Sequence, residues 1–368
     1  MTLAILGLGT ALPTAAITQA DGLRVAQALI RPTGEQATWL PTMYAGTGVA
    51  GRRMALGEDV VRDIIDGTRR TSSPFLPRGE PGDRGPTTAE RMRLYAELAP
   101  PLAVQAAAAA LRPSGVQAAD VTHLITVSCT GFVAPGVDLA LIRALDLAPT
   151  VQRVHIGYMG CHGALNGLRV ARAFTAAEPD ARVLLCAVEL CGLHYYYGWD
   201  AAKVIANALF ADGGAAVVGA PVAAAPAAAW RVEASGSRLI PDSADAMTWT
   251  IGDHGFEMTL SKQVPRLIAA HLRPWLEAWL ARHGVELDGV ASWAVHPGGP
   301  RILDAVEEGL NLPRSALEPS RAVLRELGNM SSPTVLFILD RLRAAGAPRP
   351  CIALGFGPGL MAEAALLR

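Results

Sequence analysis

Apolar residues in this chain fall into two alternating kinds of run. Short runs dense in aliphatic and branched residues read as buried strands. These are Leu3 to Gly7, Val121 to Ser128, Arg153 to Ile156, Arg182 to Val188 and Ala215 to Val218, then Trp230 to Ala234, Val290 to Val295 and Cys351 to Leu354. Between them lie stretches whose apolar residues recur every three or four positions. Asp21 to Leu29, Val137 to Leu145, Leu168 to Ala177, Val264 to Arg282, Arg301 to Leu310 and Thr334 to Ala345 read as helices. Thr87-Thr88-Ala89-Glu90 has the form of a capping box and opens a long helix to Leu111. Pro100-Pro101 predicts a break within it. Strands alternating with helices predict an α/β fold with mainly parallel sheets. The Ala/Pro segment from Pro221 to Ala229 reads as a junction between two halves, 1–220 and 221–368.

Composition narrows the field. With 51% hydrophobic residues in 368, a large core is available. The net charge of −1 offers nucleic acid no attraction. Five cysteines, without a CxxC pair, suggest neither a zinc site nor a disulfide framework, and fit a reducing cytoplasm. The opening MTLAILGLGTALPT reads as a strand and turn and not as a signal peptide. No unbroken apolar run is long enough to predict a membrane span.

Candidate chemistry centres on Cys161. It follows the Val151–Ile156 run within Gly157-Tyr158-Met159-Gly160-Cys161-His162-Gly163 and precedes a helix. A helix N-terminus favours a thiolate, and small neighbours admit a substrate carbonyl. Packing alone is the competing reading for any lone cysteine. Two segments of the second half argue against it. His296 follows the Val290–Val295 strand within His-Pro-Gly-Gly-Pro, and Asn329 sits in Gly-Asn-Met-Ser-Ser before a helix. Both positions resemble strand ends like that of Cys161, so two similar halves would bring the three together. A thiolate accepts an acyl group from a thioester, and a nearby imidazolium lowers the thiol pKa. His and Asn donors can hold a thioester carbonyl as an enolate forms. The trio suits decarboxylative condensation. It also suits a papain-like protease, although proteases of that type lack the alternating sheet pattern.

Three further segments carry a resemblance. Trp293-Ala294-Val295-His296-Pro297-Gly298-Gly299-Pro300, Gly328-Asn329-Met330-Ser331-Ser332 and Gly355-Phe356-Gly357-Pro358-Gly359-Leu360 are similar to signatures of the type III polyketide synthases. These are the chalcone synthase-like enzymes of the thiolase superfamily. The resemblance implies a five-layered αβαβα thiolase-like fold of two similar halves, and a homodimer. It implies a starter acyl-CoA and malonyl-CoA as substrates, with no cofactor and no metal. Catalysis would fall to Cys161, His296 and Asn329. Phe210 matches an aromatic gatekeeper, whose companion position falls on Met258, with Phe256 nearby. Cys129, Cys191, Ser331, Gly357 and Pro358 would line the substrate cavity, and Ala134 stands where plant members place Met. The family's basic CoA-phosphate residues match poorly, leaving Arg52 and Arg53 as candidates. His194 to Trp199 has no clear counterpart. Two alternatives stand beside this. A β-ketoacyl carrier-protein synthase III shares the trio, but usually shows His-Gln-Ala-Asn and Gly-Asn-Thr-Ser motifs. A non-catalytic scaffold would have no need of all three residues.

Overall fold

The computed structural model describes residues 2–80 and 82–368. The first half runs through β1 (Leu3–Ala11), β2 (Ala15–Thr18), α1 (Gln19–Ile30), α2 (Glu35–Ala45), β3 (Gly51–Met54) and α3 (Glu58–Asp66). It continues with α4 (Thr88–Ser114), β4 (His123–Ser128), α5 (Val137–Ala144), β5 (Gln152–Gly157), α6 (Gly163–Ala177), β6 (Val183–Leu190), α7 (Ala201–Leu209) and β7 (Asp212–Pro221). The second half comprises β8 (Trp230–Leu239), β9 (Met247–Gly252), β10 (Gly255–Leu260), α8 (Val264–Ala281) and β11 (Ser292–Val295). It closes with α9 (Pro300–Leu310), α10 (Glu318–Leu327), α11 (Thr334–Ala344), β12 (Cys351–Gly357) and β13 (Met361–Leu367).

Nine strands form one sheet in the order β11-β12-β13-β8-β1-β7-β6-β4-β5. The expectation of mainly parallel strands is not met. Only β4 with β5 and β6, and β11 with β12, run parallel; the other neighbours are antiparallel. Parallel pairing needs a crossover, which α5 and α6 supply, whereas β12 turns straight back into β13. That turn also hid β13 from the sequence reading, which ended its last strand at Leu354. Met361–Leu367 lacks the branched residues that mark strands.

The two arms meet at β1 and β8, which pair over Leu3↔Val232, Ala4↔Arg231 and Ile5↔Trp230. Helices α6 and α11 lie between the arms and touch strands of both. Alternation along the strands sorts side chains onto two faces. In β6, Val183, Leu185 and Ala187 join the core around α6 and α11, while Leu184, Cys186 and Val188 face the layer of α4. In β12, Cys351 and Ala353 face inward, while Ile352, Leu354 and Phe356 meet α8 and α9. Five layers result: helices, sheet, central helices, sheet, helices.

The capping box forms: the Glu90 N–H donates to Thr87 Oγ1 at 3.3 Å, and the Thr87 N–H to Glu90 Oε2 at 2.7 Å. The helix it opens does not break at Pro100-Pro101; α4 runs continuously to Ser114. The carbonyls those prolines leave without an N–H partner belong to Ala96 and Glu97, on the exposed side where water serves them. The opposite face, Ala99, Ala103, Ala106, Ala107 and Ala110, beds on the sheet. Gly9 permits this, because a Cβ there would lie 2.2 Å from the Ala110 nitrogen. By length and composition α4 could cross a membrane, but it is instead the helix that covers β1, β7 and β6.

Candidate active site

Cys161 occupies a single 3-10 turn, Gly160–His162, that leads into α6. The turn is tight. Gly160 has φ 72°, and a Cβ on it would lie 2.4 Å from Pro358 Cδ. The Gly160 N–H points at Cys129 Sγ, 3.1 Å away. Glycine is thus required both by the turn's handedness and by the approach of Pro358 from the other half.

His296 follows β11, its N–H held by the Leu354 carbonyl at 2.7 Å. Asn329 does not sit at a strand end. It follows α10, and its backbone bridges the corner between α7 and β7, with N–H to the Leu209 carbonyl and carbonyl to the Ala211 N–H, both 2.9 Å. The bridge seats Asn329 beside Phe210. The Asn329 Oδ1 accepts the Ser331 N–H at 2.8 Å, which turns its amide hydrogens toward the pocket.

One pocket is lined by Cys161, His296 and Asn329 together, with Phe210, Met258 and Leu260. A second opens beside it and is lined by Cys161, Cys129, Cys191, Phe210, Met258, Ser331 and Pro358. Nine of the twelve candidate residues therefore converge on adjoining spaces. The remaining three do not. Gly357 lies behind the Cys161 turn, where a Cβ would strike the His162 ring. Arg52 is buried. Its terminal nitrogens donate to the carbonyls of Asn207 at 2.8 Å, Phe210 at 2.9 Å and Ala208 at 2.6 Å, and to Gln19 Oε1. It caps the C-terminus of α7 and offers nothing to a phosphate. Arg53 reaches the Thr14 carbonyl at 2.9 Å along the β2–β3 ribbon and lines none of these spaces. Ala134 is exposed on the loop after β4 and does not line the cavity either.

Burial sets the electrostatics. It pushes the Cys161 thiol up to about 12, against the lowering effect of the Ser331 and Asn329 side chains. It pulls the His296 imidazole down to about 3, with a smaller push from His162. Neither ring nitrogen of His296 has a hydrogen-bond partner. Burial opposes the thiolate that a helix N-terminus favours. Charge on either group alone is disfavoured by burial.

Several functional neighbours escaped the sequence reading. Met247 and Trp249 come from a β9–β10 hairpin in which Trp249 faces the anticipated Met258 and Met247 faces Leu260. Period-two alternation around the Asp253-His254-Gly255 turn was the available signal. Phe256 lies on the same hairpin but stacks on His194 at 4.2 Å. Glu189, fully buried, accepts from the Cys129 N–H at 2.8 Å, from Thr130 Oγ1 at 2.7 Å, and from Ser332 Oγ at 2.6 Å. It ties the loop after β4 to the start of α11. Nothing in the sequence marks it, since it reads as one polar residue in an apolar strand. The tyrosines of the unmatched segment pack: Tyr195 Oη meets Tyr44 Oη at 2.9 Å, and Tyr197 donates to the Phe75 carbonyl at 2.5 Å.

The comparisons with known proteins agree with this architecture. Residues 76–222 match the family of chalcone and stilbene synthases, N-terminal domain, and residues 231–368 its C-terminal domain. The chain is 32% identical over 369 residues to the alpha-pyrone synthesis polyketide synthase-like Pks18 of Mycobacterium tuberculosis, covering 98% of this chain and 89% of that protein. It is 33% identical over 364 residues to 1,3,6,8-tetrahydroxynaphthalene synthase of Streptomyces peucetius, covering 98% and 91%. The crystal structure of PKS-I from the brown alga Ectocarpus siliculosus superposes with a TM-score of 0.89 at 32% identity, covering 100% of this chain and 98% of that one. The chain belongs to the chalcone and stilbene synthase family: it is a type III polyketide synthase, a condensing acyltransferase of thiolase-like fold.

Proposed function

We propose that Cys161 accepts a starter acyl group from an acyl-CoA and that His296 and Asn329 drive its extension with malonyl-CoA. The observation that carries this reading is the shared buried pocket of the three side chains. In loading, the Cys161 sulfur bonds to the starter carbonyl, its proton passes to His296, and the CoA sulfur leaves with that proton. In extension, the malonyl carboxyl departs as CO2, and its bonding pair forms an enolate. Its oxygen is held by one His296 N–H and the Asn329 amide. The enolate carbon then attacks the acyl group on Cys161 and expels the sulfur. Repetition yields a poly-β-keto chain, which cyclises within the cavity and leaves as a pyrone, resorcinol or related phenolic.

The CoA phosphates stay outside the pocket. Lys262 and Arg301 are exposed beside the pocket-lining Leu260 and Ile302, and stand in place of Arg52 and Arg53 as their candidate partners. A second copy of the chain is the proposed cover for Phe132, Val133, Tyr158 and Met159. These exposed apolar residues lie on the two loops that hold Cys129 and Cys161, next to the edge strand β5. A reducing compartment such as the cytoplasm suits five free cysteines.

The test is to incubate Cys161→Ala with malonyl-CoA and a panel of starters, and to follow both CO2 release and chain products. Condensation products disappear while slow decarboxylation continues. Persistence of products in the variant overturns the assignment of the nucleophile.

A further inference from the structure

The cysteine turn belongs to the first half, yet it is seated on the second. His162, the residue after Cys161, is buried. Its ring lies against the end of β12. A Cβ on Gly357 would sit 2.5 Å from His162 Cδ2, and one on Gly355 would sit 3.1 Å from His162 Cβ. Glycine at both positions makes room for the imidazole. Nδ1 lies 2.7 Å from Asn166 Oδ1, one helical turn on, and that bond puts the ring hydrogen on Nδ1. Nε2 then carries a lone pair that meets no partner. Burial lowers the imidazole pKa below its usual value, against the opposing effects of Asn166 and Glu363, so the ring is uncharged at pH 7. Neither loading nor extension uses this side chain.

The same end of β12 carries the other imidazole. The Leu354 carbonyl, one residue before Gly355, accepts the His296 N–H at 2.7 Å. His162 and His296 are thus both registered on β12, the first by packing and the second by a hydrogen bond. Farther along α6, Arg169 is ion-paired with Glu363 of β13, whose carboxylate also accepts the Ser237 hydroxyl of β8 at 2.9 Å. Gly355, Glu363 and Ser237 stand in register across β12, β13 and β8. Positions 162, 166 and 169 fall on one helical face. The helix is therefore pinned to the second-half sheet at two points about 10 Å apart, and the pin at its head lies beside Cys161.

We propose that His162 is a positioning residue: its ring, wedged against Gly355 and Gly357, sets the distance between Cys161 and His296 across the two halves. The proposal rests on His296 taking the Cys161 proton. A side chain too small for the seat lets the cysteine turn settle toward β12, and the proton transfer loses its alignment.

The test follows alkylation of Cys161 by iodoacetamide against pH, resolved by peptide mapping, in wild type, His162→Ala, His162→Phe and His296→Ala. In wild type, proton transfer to His296 keeps the rate level through the neutral range. His162→Ala is expected to react roughly 10- to 100-fold more slowly at pH 7 and to lose that plateau, its rate climbing with pH as for an unassisted buried thiol. His162→Phe refills the seat with a flat ring and is expected to keep the plateau, within about threefold of wild type. If His162→Ala does not fold, His162→Leu, which fills part of the seat, is read in its place. Loosened packing alone would reduce the amount of reactive protein without changing the pH at which it reacts. A small-residue variant that is slower but keeps the wild-type plateau therefore overturns the proposal, as does a His162→Phe that loses the plateau. His296→Ala separates the two readings. If it reacts like wild type, the proton-transfer reading fails and takes the proposal with it. If it loses the plateau and His162→Ala does not, the proton-transfer reading stands and the positioning role of His162 fails.

Discussion

At the scale of single residues, burial governs both Cys161 and His296. Burial raises the thiol and lowers the imidazole, so each resists charging alone. In the proposed loading step, opposite charges formed by one proton transfer would attract within the pocket both residues line. Replacing His296 by Ala removes the acceptor and leaves burial unopposed. The expected outcome is a fall of at least about tenfold in Cys161 alkylation by iodoacetamide at pH 7. The logarithm of that rate should then climb with pH to beyond 10 with no plateau in the neutral range. Peptide mapping isolates Cys161 from Cys129 and Cys191, whose thiols burial also pushes up. A variant that alkylates like wild type at neutral pH would show the thiolate to be stabilised by something other than His296. These residues were legible in the sequence because each stands in a glycine-rich motif. Glu189 was not, because its importance lies in four hydrogen-bond donors that come from two distant segments.

Elements were legible where burial is one-sided or complete and illegible where tertiary contact decides. The amphipathic α8 and α9 and the runs of β4 and β6 were anticipated within a residue or two. The continuity of α4 was not, because a proline's cost depends on which side its orphaned carbonyls face. Arg52 shows the same limit. A basic pair reads as a surface feature, yet β3 alternates, with Arg52 inward and Arg53 outward. Arg52 closes the end of α7, whose last turn carries the Phe210 backbone. Arg52→Met should strand several buried carbonyls and cost about 3 kcal/mol in urea unfolding, whereas Arg53→Ala should stay within about 0.5 kcal/mol. Equal effects from the two substitutions would contradict the capping role.

For the whole molecule, the buried imidazoles predict a specific acid weakness. His194 and His296 are both held near 3 by burial, well below the usual value near 6.5. Each has a depressed folded-state pKa, so the unfolded chain takes up protons first as pH falls below about 6.5. Stability is complete above that value and is lost progressively down to about 3. At pH 5 the loss amounts to about 2 kcal/mol for each imidazole. Urea unfolding at pH 7 and pH 5 measures it, and His194→Gln should reduce the loss by about 2 kcal/mol. A difference untouched by that substitution would assign the acid sensitivity to other groups.

The seam between the halves has a mechanical consequence. Three residue pairs of β1 and β8 join the two arms, which then diverge around α6 and α11 like the blades of an open pair of shears. Cys161 stands at the head of α6, and Asn329 lies a few residues before α11. Leu3, Ile5 and Val232 at this seam, remote from any substrate, belong to the same core that seats α6 and α11.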